Sequence, residues 1–143
     1  MKISTRGRYA LRVMVDLAEH NNGAFIPLKD IVGRQEISQK YLEGIMTDLS
    51  KAGLVDGQHG KGGGYKLNRS PEEYTVGQIL RITEGDLAPI ACLGKAADVC
   101  ERAQECKTLP MWKKLYDMIN NFFDNVSIAD LTSNEGGGNE YVI

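Results

Sequence analysis

Between Ser38 and Leu67 the hydrophobic period changes once, from helical to strand-like, and that change constrains the N-terminal half more than any other feature. Ser38 is a suitable N-cap, and Leu42, Ile45, Met46 and Leu49 then recur at three- and four-residue steps. Gly53 stands where helices commonly end in glycine. Beyond it, LVDGQ and YKLN read as two short strands joined by HGKGGG. Gly60, Gly62, Gly63 and Gly64 allow positive φ and let main chain lie close to another surface. A phosphate-binding P-loop is excluded, because the loop lacks the G-x-x-x-x-G-K-[ST] pattern and leads from strand to strand.

Two helices are expected before this unit. From Thr5 to His20 the residues Ala10, Leu11, Val13, Met14, Leu17 and Ala18 form one apolar face, and Asn21, Asn22 and Gly23 stop it. A short second helix starts near Pro27, whose fixed φ suits a first helical position, and runs through Leu28, Ile31 and Val32 toward Gly33. The 31–39 connection is short and polar, as in a helix-turn-helix. The fold class predicted is mainly α with a small β-hairpin wing, a winged helix-turn-helix over residues 1–74 followed by a long dimerisation helix.

The outward face of the third helix collects Gln39, Lys40, Glu43, Gly44 and Thr47. Gln and Lys donate to base edges, and Glu accepts from cytosine N4 in the major groove. Gly44 costs ~1 kcal/mol relative to alanine in a helix interior, and its missing side chain permits close approach to a duplex. The net charge of -2 hides an asymmetry: residues 1–70 carry 11 Lys+Arg against 7 Asp+Glu, and residues 71–143 carry 6 against 12. The basic half, with Lys2, Arg6, Arg8 and Arg12 near its start, suits a polyanionic partner. A solvated polar face would account for the third helix alone. The wing and the basic start supply phosphate-facing groups on both sides of it and favour DNA.

Thr75 with Gln78 forms a capping box for VGQILRITE, a connecting helix over residues 75–85 closed by Gly85. Residues 86–109 make a long loop that holds all three cysteines, Cys92, Cys100 and Cys106. From Pro110 onward, Trp112, Leu115, Tyr116, Ile119, Phe122, Phe123 and Val126 keep an apolar stripe at heptad-like steps. Core packing is one reading of that spacing. A small winged domain has too little surface to bury so many large side chains, so a dimerisation helix and a short C-terminal helix are expected over residues 110–131. Residues 132–143 are expected to be a flexible tail.

No run of about 18 apolar residues is present to span a bilayer, and MKISTRGRYALRVMV lacks a signal peptide's apolar core. A cytoplasmic location with no membrane partner is expected. In a reducing compartment, clustered thiols suit a metal or redox site better than a disulfide framework. Thiolates are soft ligands for iron-sulfur clusters or zinc, both of which normally take four donors. Unliganded structural thiols and a thiol redox switch are the alternatives. His20 and His59 have no evident nucleophile partner, so enzymatic activity is not expected.

Taken together, KISTRGRYALRVMVDLA, ISQKYLEGIMTDLSKAGLV, the wing HGKGGGYKL and the cysteine loop closely resemble the IscR-like winged-helix regulators. This bacterial group is named for the iron-sulfur cluster assembly regulator and includes the nitric-oxide sensor NsrR and the cysteine-metabolism repressor CymR. The resemblance covers residues 1–133. It implies a homodimer on near-palindromic promoter DNA, with the third helix in the major groove and the wing in the minor groove. The DNA-binding residues expected are Lys2, Arg6, Arg8, Ser38, Gln39, Lys40, Tyr41, Glu43, Gly44, His59, Lys61 and Gly62.

It also implies an iron-sulfur cluster on Cys92, Cys100 and Cys106, with 2Fe-2S favoured and 4Fe-4S possible. IscR proteins commonly carry arginine in place of His59 and glutamine in place of Gly44. Their fourth cluster ligand is a histidine three residues after the last cysteine, a position held here by Leu109. Some NsrR proteins share the C-x7-C-x5-C spacing and take an aspartate from the partner's first helix, where this chain has Arg8. Asp98, Glu101, Glu105 and Thr108 are the oxygen donors in or near the loop. The function implied is repression of iron-sulfur cluster assembly genes according to cluster status. The alternatives are a nitric-oxide or thiol-redox sensing regulator of the same family and, in a different class, a zinc-stapled interaction module.

Overall fold

The computed structural model describes residues 2–95 and 100–132. Asp98 and the tail beyond Thr132 lie outside them, so the expectations for both stay as stated.

Helix α1 (Thr5–Glu19) begins at Ser4, whose hydroxyl accepts from the Gly7 N–H at 3.0 Å. Helix α2 (Leu28–Gln35) runs two residues past the expected stop at Gly33, and Pro27 takes the N-cap position instead of the first helical one. Glu36 ends α2 in the left-handed region at φ 54. The extra turn is held from outside: Arg12 of α1 binds the Gln35 side chain at 3.1 Å and its carbonyl oxygen. Helix α3 (Gln39–Lys51) starts at Ser38 as expected, with the Ser38 hydroxyl accepting from the Tyr41 N–H at 3.3 Å.

Strands β1 (Val55–Gln58) and β2 (Gly64–Leu67) pair antiparallel from Val55↔Leu67 to Gln58↔Gly64. The hairpin is pinned to the segment before α2, because Ile26 and Tyr65 exchange both backbone hydrogen bonds at 2.8 and 2.9 Å. That close pass explains Gly64. Its φ is +152, and a Cβ there would collide with the Ile26 carbonyl.

One core cluster joins α1, α2, α3 and the wing. It includes Ala10, Val13, Met14 and Leu17 with Ile31, Leu42, Ile45, Met46, Leu49, Leu54 and Leu67. Each large aliphatic side chain buried this way contributes roughly 1.5–3 kcal/mol relative to exposure. Tyr74 is fully buried beneath the hairpin, where its hydroxyl donates to the Leu54 carbonyl at 2.8 Å and accepts from the Asn68 N–H at 3.0 Å. Burial pushes this phenol above its ordinary value, against the backbone hydrogen bonds from Asn68 and Arg69 that favour the ionised form.

Helix α4 (Val76–Glu84) is capped by Thr75, which accepts from the Gln78 N–H at 3.1 Å, and closes at Gly85. The reciprocal capping box is one turn earlier, between Ser70 and Glu73. Helix α5 (Leu109–Asp124) starts one residue before Pro110, and α6 (Ile128–Thr132) returns to pack on α1. A second cluster of Val76, Leu80, Leu87 and Val126 fixes α5 against α4. Arg81 of α4 adds bonds to both carboxylate oxygens of Asp124 at 2.7 and 3.0 Å.

Candidate functional site

Helix α3 presents Gln39, Lys40, Tyr41, Glu43 and Thr47 to solvent, as its 3.6-residue period requires once Leu42, Ile45, Met46 and Leu49 are inside. Two local bonds order this face. Gln39 Nε2 donates to Glu43 Oε1 at 3.2 Å, and the Thr47 hydroxyl donates to the Glu43 carbonyl at 2.8 Å. Tyr41 leans edge-on against Tyr9 of α1 with centroids 5.7 Å apart, and the Arg12 guanidinium lies 5.0 Å from the Tyr9 ring.

The wing stands beside this face. Glu43 and Thr47 share an open cleft of about 470 Å³ with Leu28 and Lys29 of α2 and with Gln58, His59 and Gly60 of the hairpin. His59 therefore converges with the α3 face from the other side of a groove, and Lys61 and Gly62 are exposed at the hairpin tip. Sequence reasoning passed over Lys29, whose only signal was a basic residue at the start of α2. Lys2 and Arg8 are exposed, with Arg8 hydrogen-bonded to the Thr5 hydroxyl at 3.0 Å. Arg6 differs from them. Its guanidinium reaches α3 and binds the Gly44 carbonyl and the Asp48 carboxylate.

The three cysteines line one cavity. It measures about 190 Å³ and is walled by Cys92, Leu93, Cys100, Ala103, Cys106, Leu109 and Lys113. All three are free thiols. Cys106 lies just before α5, and its Sγ is 3.5 Å from the Thr108 hydroxyl. That hydroxyl, with backbone bonds from Thr108 and Leu109, holds the Cys106 thiol below its ordinary value.

Three soft donors thus line one cavity, and its other lining residues, Leu93, Ala103, Leu109 and Lys113, add no conventional metal donor. Among the described residues, no three His, Cys, Asp or Glu side chains lie close enough together to hold a single metal ion. The thiols therefore fit part of a cluster's ligand set, and that set is not closed. Glu101 and Glu105 are exposed and do not line the cavity, and Thr108 is engaged with Cys106.

Helix α5 has no fully buried residue. The expected stripe is divided between two faces. Tyr116, Ile119, Phe123 and Val126 belong to the second cluster of the same chain. Leu115 and Phe122 point outward with Met111 and Met118, at 36%, 42%, 54% and 60% exposure. Trp112 is half-buried. The outward residues follow one another at steps of four, three and four, a heptad seam, which the sequence reading caught only in part. Phe122 also borders an apolar cavity of about 250 Å³ with Leu11, Val76, Phe123, Val126 and Leu131.

The Rrf2 family, described as iron-dependent transcriptional regulators, matches residues 3–134. The HTH-type transcriptional regulator IscR of Aliivibrio salmonicida is 38% identical over 131 residues, which is 92% of this chain and 77% of that protein. IscR of Serratia proteamaculans is 36% identical over 135 residues, covering 94% and 81%. Among solved structures, CymR, the global cysteine regulator of B. subtilis, is similar with a TM-score of 0.75 and 33% identity, covering 93% of this chain and 97% of that one. IscR of T. potens gives 0.70 and 31%, covering 99% and 97%. These relatives are winged-helix transcriptional regulators and not enzymes. No helix among the described residues is long and apolar enough to cross a membrane.

Proposed function

The chain belongs to the Rrf2 family of iron-dependent transcriptional regulators, and from that premise we propose that it is a cytoplasmic, homodimeric repressor of iron-sulfur cluster assembly genes. In this reading Gln39, Lys40, Tyr41 and Glu43 of α3 meet base edges in the major groove, with Gly44 on the same side of the helix. Ser38 and the exposed Lys2 and Arg8 face phosphate, and His59, Lys61 and Gly62 carry the wing into the minor groove. Dimerisation through the outward face of α5 places two such heads on one duplex.

The observation that carries the sensing role is the cavity shared by Cys92, Cys100, Cys106 and the first turn of α5. The three thiolates would hold an iron-sulfur cluster, with 2Fe-2S favoured and 4Fe-4S the alternative. When bound, such a group supplies an oxidant-labile centre that tethers the loop. Held by Cys92, Cys100 and Cys106, it would tie the cysteines to the start of α5, and its loss would alter the footing of the dimer helix.

Anaerobic isolation with iron and sulfide analysis, visible absorption and EPR tests this reading. A coloured, iron-containing protein whose DNA affinity changes on cluster loss supports it. A colourless protein whose DNA affinity ignores Cys92→Ala, Cys100→Ala and Cys106→Ala overturns it.

One observation favours a second reading. With its thiol pulled below the ordinary value and no carboxylate or histidine among the residues lining the cavity, Cys106 also suits a thiol-redox or nitric-oxide sensor in the same scaffold. Iron-free protein whose DNA binding responds reversibly to peroxide and thiol reductant would select it. A zinc-stapled interaction module leaves the reading helix and the wing without a role.

A further inference from the structure

We propose that Arg6 is a positioning residue for α3 and not a phosphate contact, and that it sets how Gln39, Lys40 and Glu43 are presented to bases. The inference rests on the DNA-binding reading above. Arg6 projects from the first turn of α1 across the middle of α3, where its Nη2 donates to the Gly44 carbonyl at 3.0 Å and to Asp48 Oδ2. Gly44 makes room for this. A Cβ at position 44 would already lie 3.6 and 3.7 Å from Arg6 Nη1 and Nη2, so any longer side chain would grow into the path of the guanidinium. The glycine within α3 therefore has an intramolecular reason, as the floor on which an arginine of the same chain lies.

The base of that arginine is itself fixed. Ser4 caps α1 through the Gly7 N–H and donates its own hydroxyl to Glu84 Oε2 of α4 at 2.8 Å. A short, anchored arm from α1 thus grips α3 one turn beyond Lys40 and next to Glu43. With Asp48 as its counter-charge, Arg6 adds almost no net positive charge to the interface, whereas a phosphate contact requires that charge to be available. Helical position and angle decide whether bidentate base contacts form, so a loss of this grip reads out as lost preference and not as uniformly weaker binding.

The test uses the full-length protein, the duplex it enriches from a random pool, and a shuffled duplex of equal length and composition. Arg6→Lys keeps the charge but not the fork, and Asp48→Asn removes a negative charge near DNA. Both variants should lower the preference for the enriched duplex about tenfold, the size expected for a lost charge-assisted hydrogen bond. For Arg6→Lys, which keeps the charge, binding to the shuffled duplex and the slope of log K against log salt should stay as in the wild type. Asp48→Asn, which leaves the Arg6 charge unmatched, should hold the shuffled duplex at least as tightly as the wild type does.

The proposal is overturned if Arg6→Lys behaves as wild type, or if Asp48→Asn tightens both duplexes equally. It is also overturned if Arg6→Met flattens the salt slope by about 0.9 per site while weakening both duplexes alike. Near-UV circular dichroism identifies a variant that has lost its packing, and Asp48→Asn keeps the test open if an Arg6 variant does. A wild-type protein that enriches no sequence fails earlier and separately, since that result removes the DNA reading on which the proposal stands.

Discussion

Asp16 of α1 accepts two hydrogen bonds from the Arg34 guanidinium of α2, to Oδ2 at 2.9 Å and to Oδ1 at 2.7 Å, with only 2% of Asp16 exposed. Gln35 adds a third bond to the same carboxylate at 2.8 Å. This pairing sets the angle of α2 and hence the base on which α3 is presented.

Removing it should be costly. Asp16→Ala leaves the Arg34 guanidinium without its carboxylate, and breaking a fully buried pair costs about 3–5 kcal/mol. Because the Arg34 side chain is 33% exposed and regains water, about 2–3 kcal/mol is expected in urea unfolding. Burial pushes the Asp16 carboxyl up, but hydrogen bonds from Arg34 and Gln35 and the Arg34 charge outweigh it, so its folded pKa falls below the ordinary 3.8. A depressed folded pKa means the unfolded state binds the proton more readily. The contribution of Asp16 is therefore complete above about pH 4 and disappears as pH falls through the folded value. Unfolding curves of wild type and Asp16→Ala should converge in acid and separate fully near neutrality.

How much of this could be read in the sequence depended on the range of the interaction. The Ser38 cap and the buried set Leu42, Ile45, Met46 and Leu49 are local, so spacing alone located them. The end of α2 was misplaced because Arg12, distant in sequence from Gln35, holds its last residues. The contacts of Arg6 with Gly44 and Asp48 were hidden for the same reason, since these partners are 38 and 42 residues away. In α5 the apolar residues lie on two adjoining faces, one packed in the chain's own second cluster and one exposed. A single stripe therefore merged core residues such as Ile119 with outward ones such as Phe122, and it missed Met111 and Met118. The cysteine cavity was legible as a cluster of thiols, but its closure by Lys113 needed the register of α5.

Two wing glycines should separate packing from backbone freedom. Gly64→Ala places a methyl against the Ile26 carbonyl in a conformation that L residues avoid, so the bridge between residues 26 and 65 must open. A loss of about 2 kcal/mol or more is expected. Gly60, at φ +89 with nothing near its missing Cβ, should cost only about 1 kcal/mol when changed to alanine. Thermal unfolding of the two variants in one buffer checks the order.

The outward face of α5 should govern association. Met118→Glu puts a charge in the middle of the Met111, Leu115, Met118 and Phe122 seam without touching the chain's own second cluster. Sedimentation should show the wild type as a dimer and the variant mostly as a folded monomer, with the dimer weakened at least tenfold in affinity. Binding to a duplex with two half-sites should fall in parallel, and binding to a single half-site should not. A variant that remains fully dimeric would place the interface elsewhere.

Leu109 stands in the wall of the cysteine cavity, on the first turn of α5, where it offers no lone pair. Leu109→His adds a nitrogen donor to a lining that already holds three thiols, so anaerobically reconstituted variant should lose its visible absorption more slowly than wild type under a chelator or air. Cys106→Ala should instead abolish that absorption, because it removes the thiol nearest the helix. Iron-to-protein ratios before and after exposure quantify both. If Leu109→His bleaches at the wild-type rate while Cys106→Ala still loses the colour, the fourth position opens away from α5, and the donor must come from outside this wall.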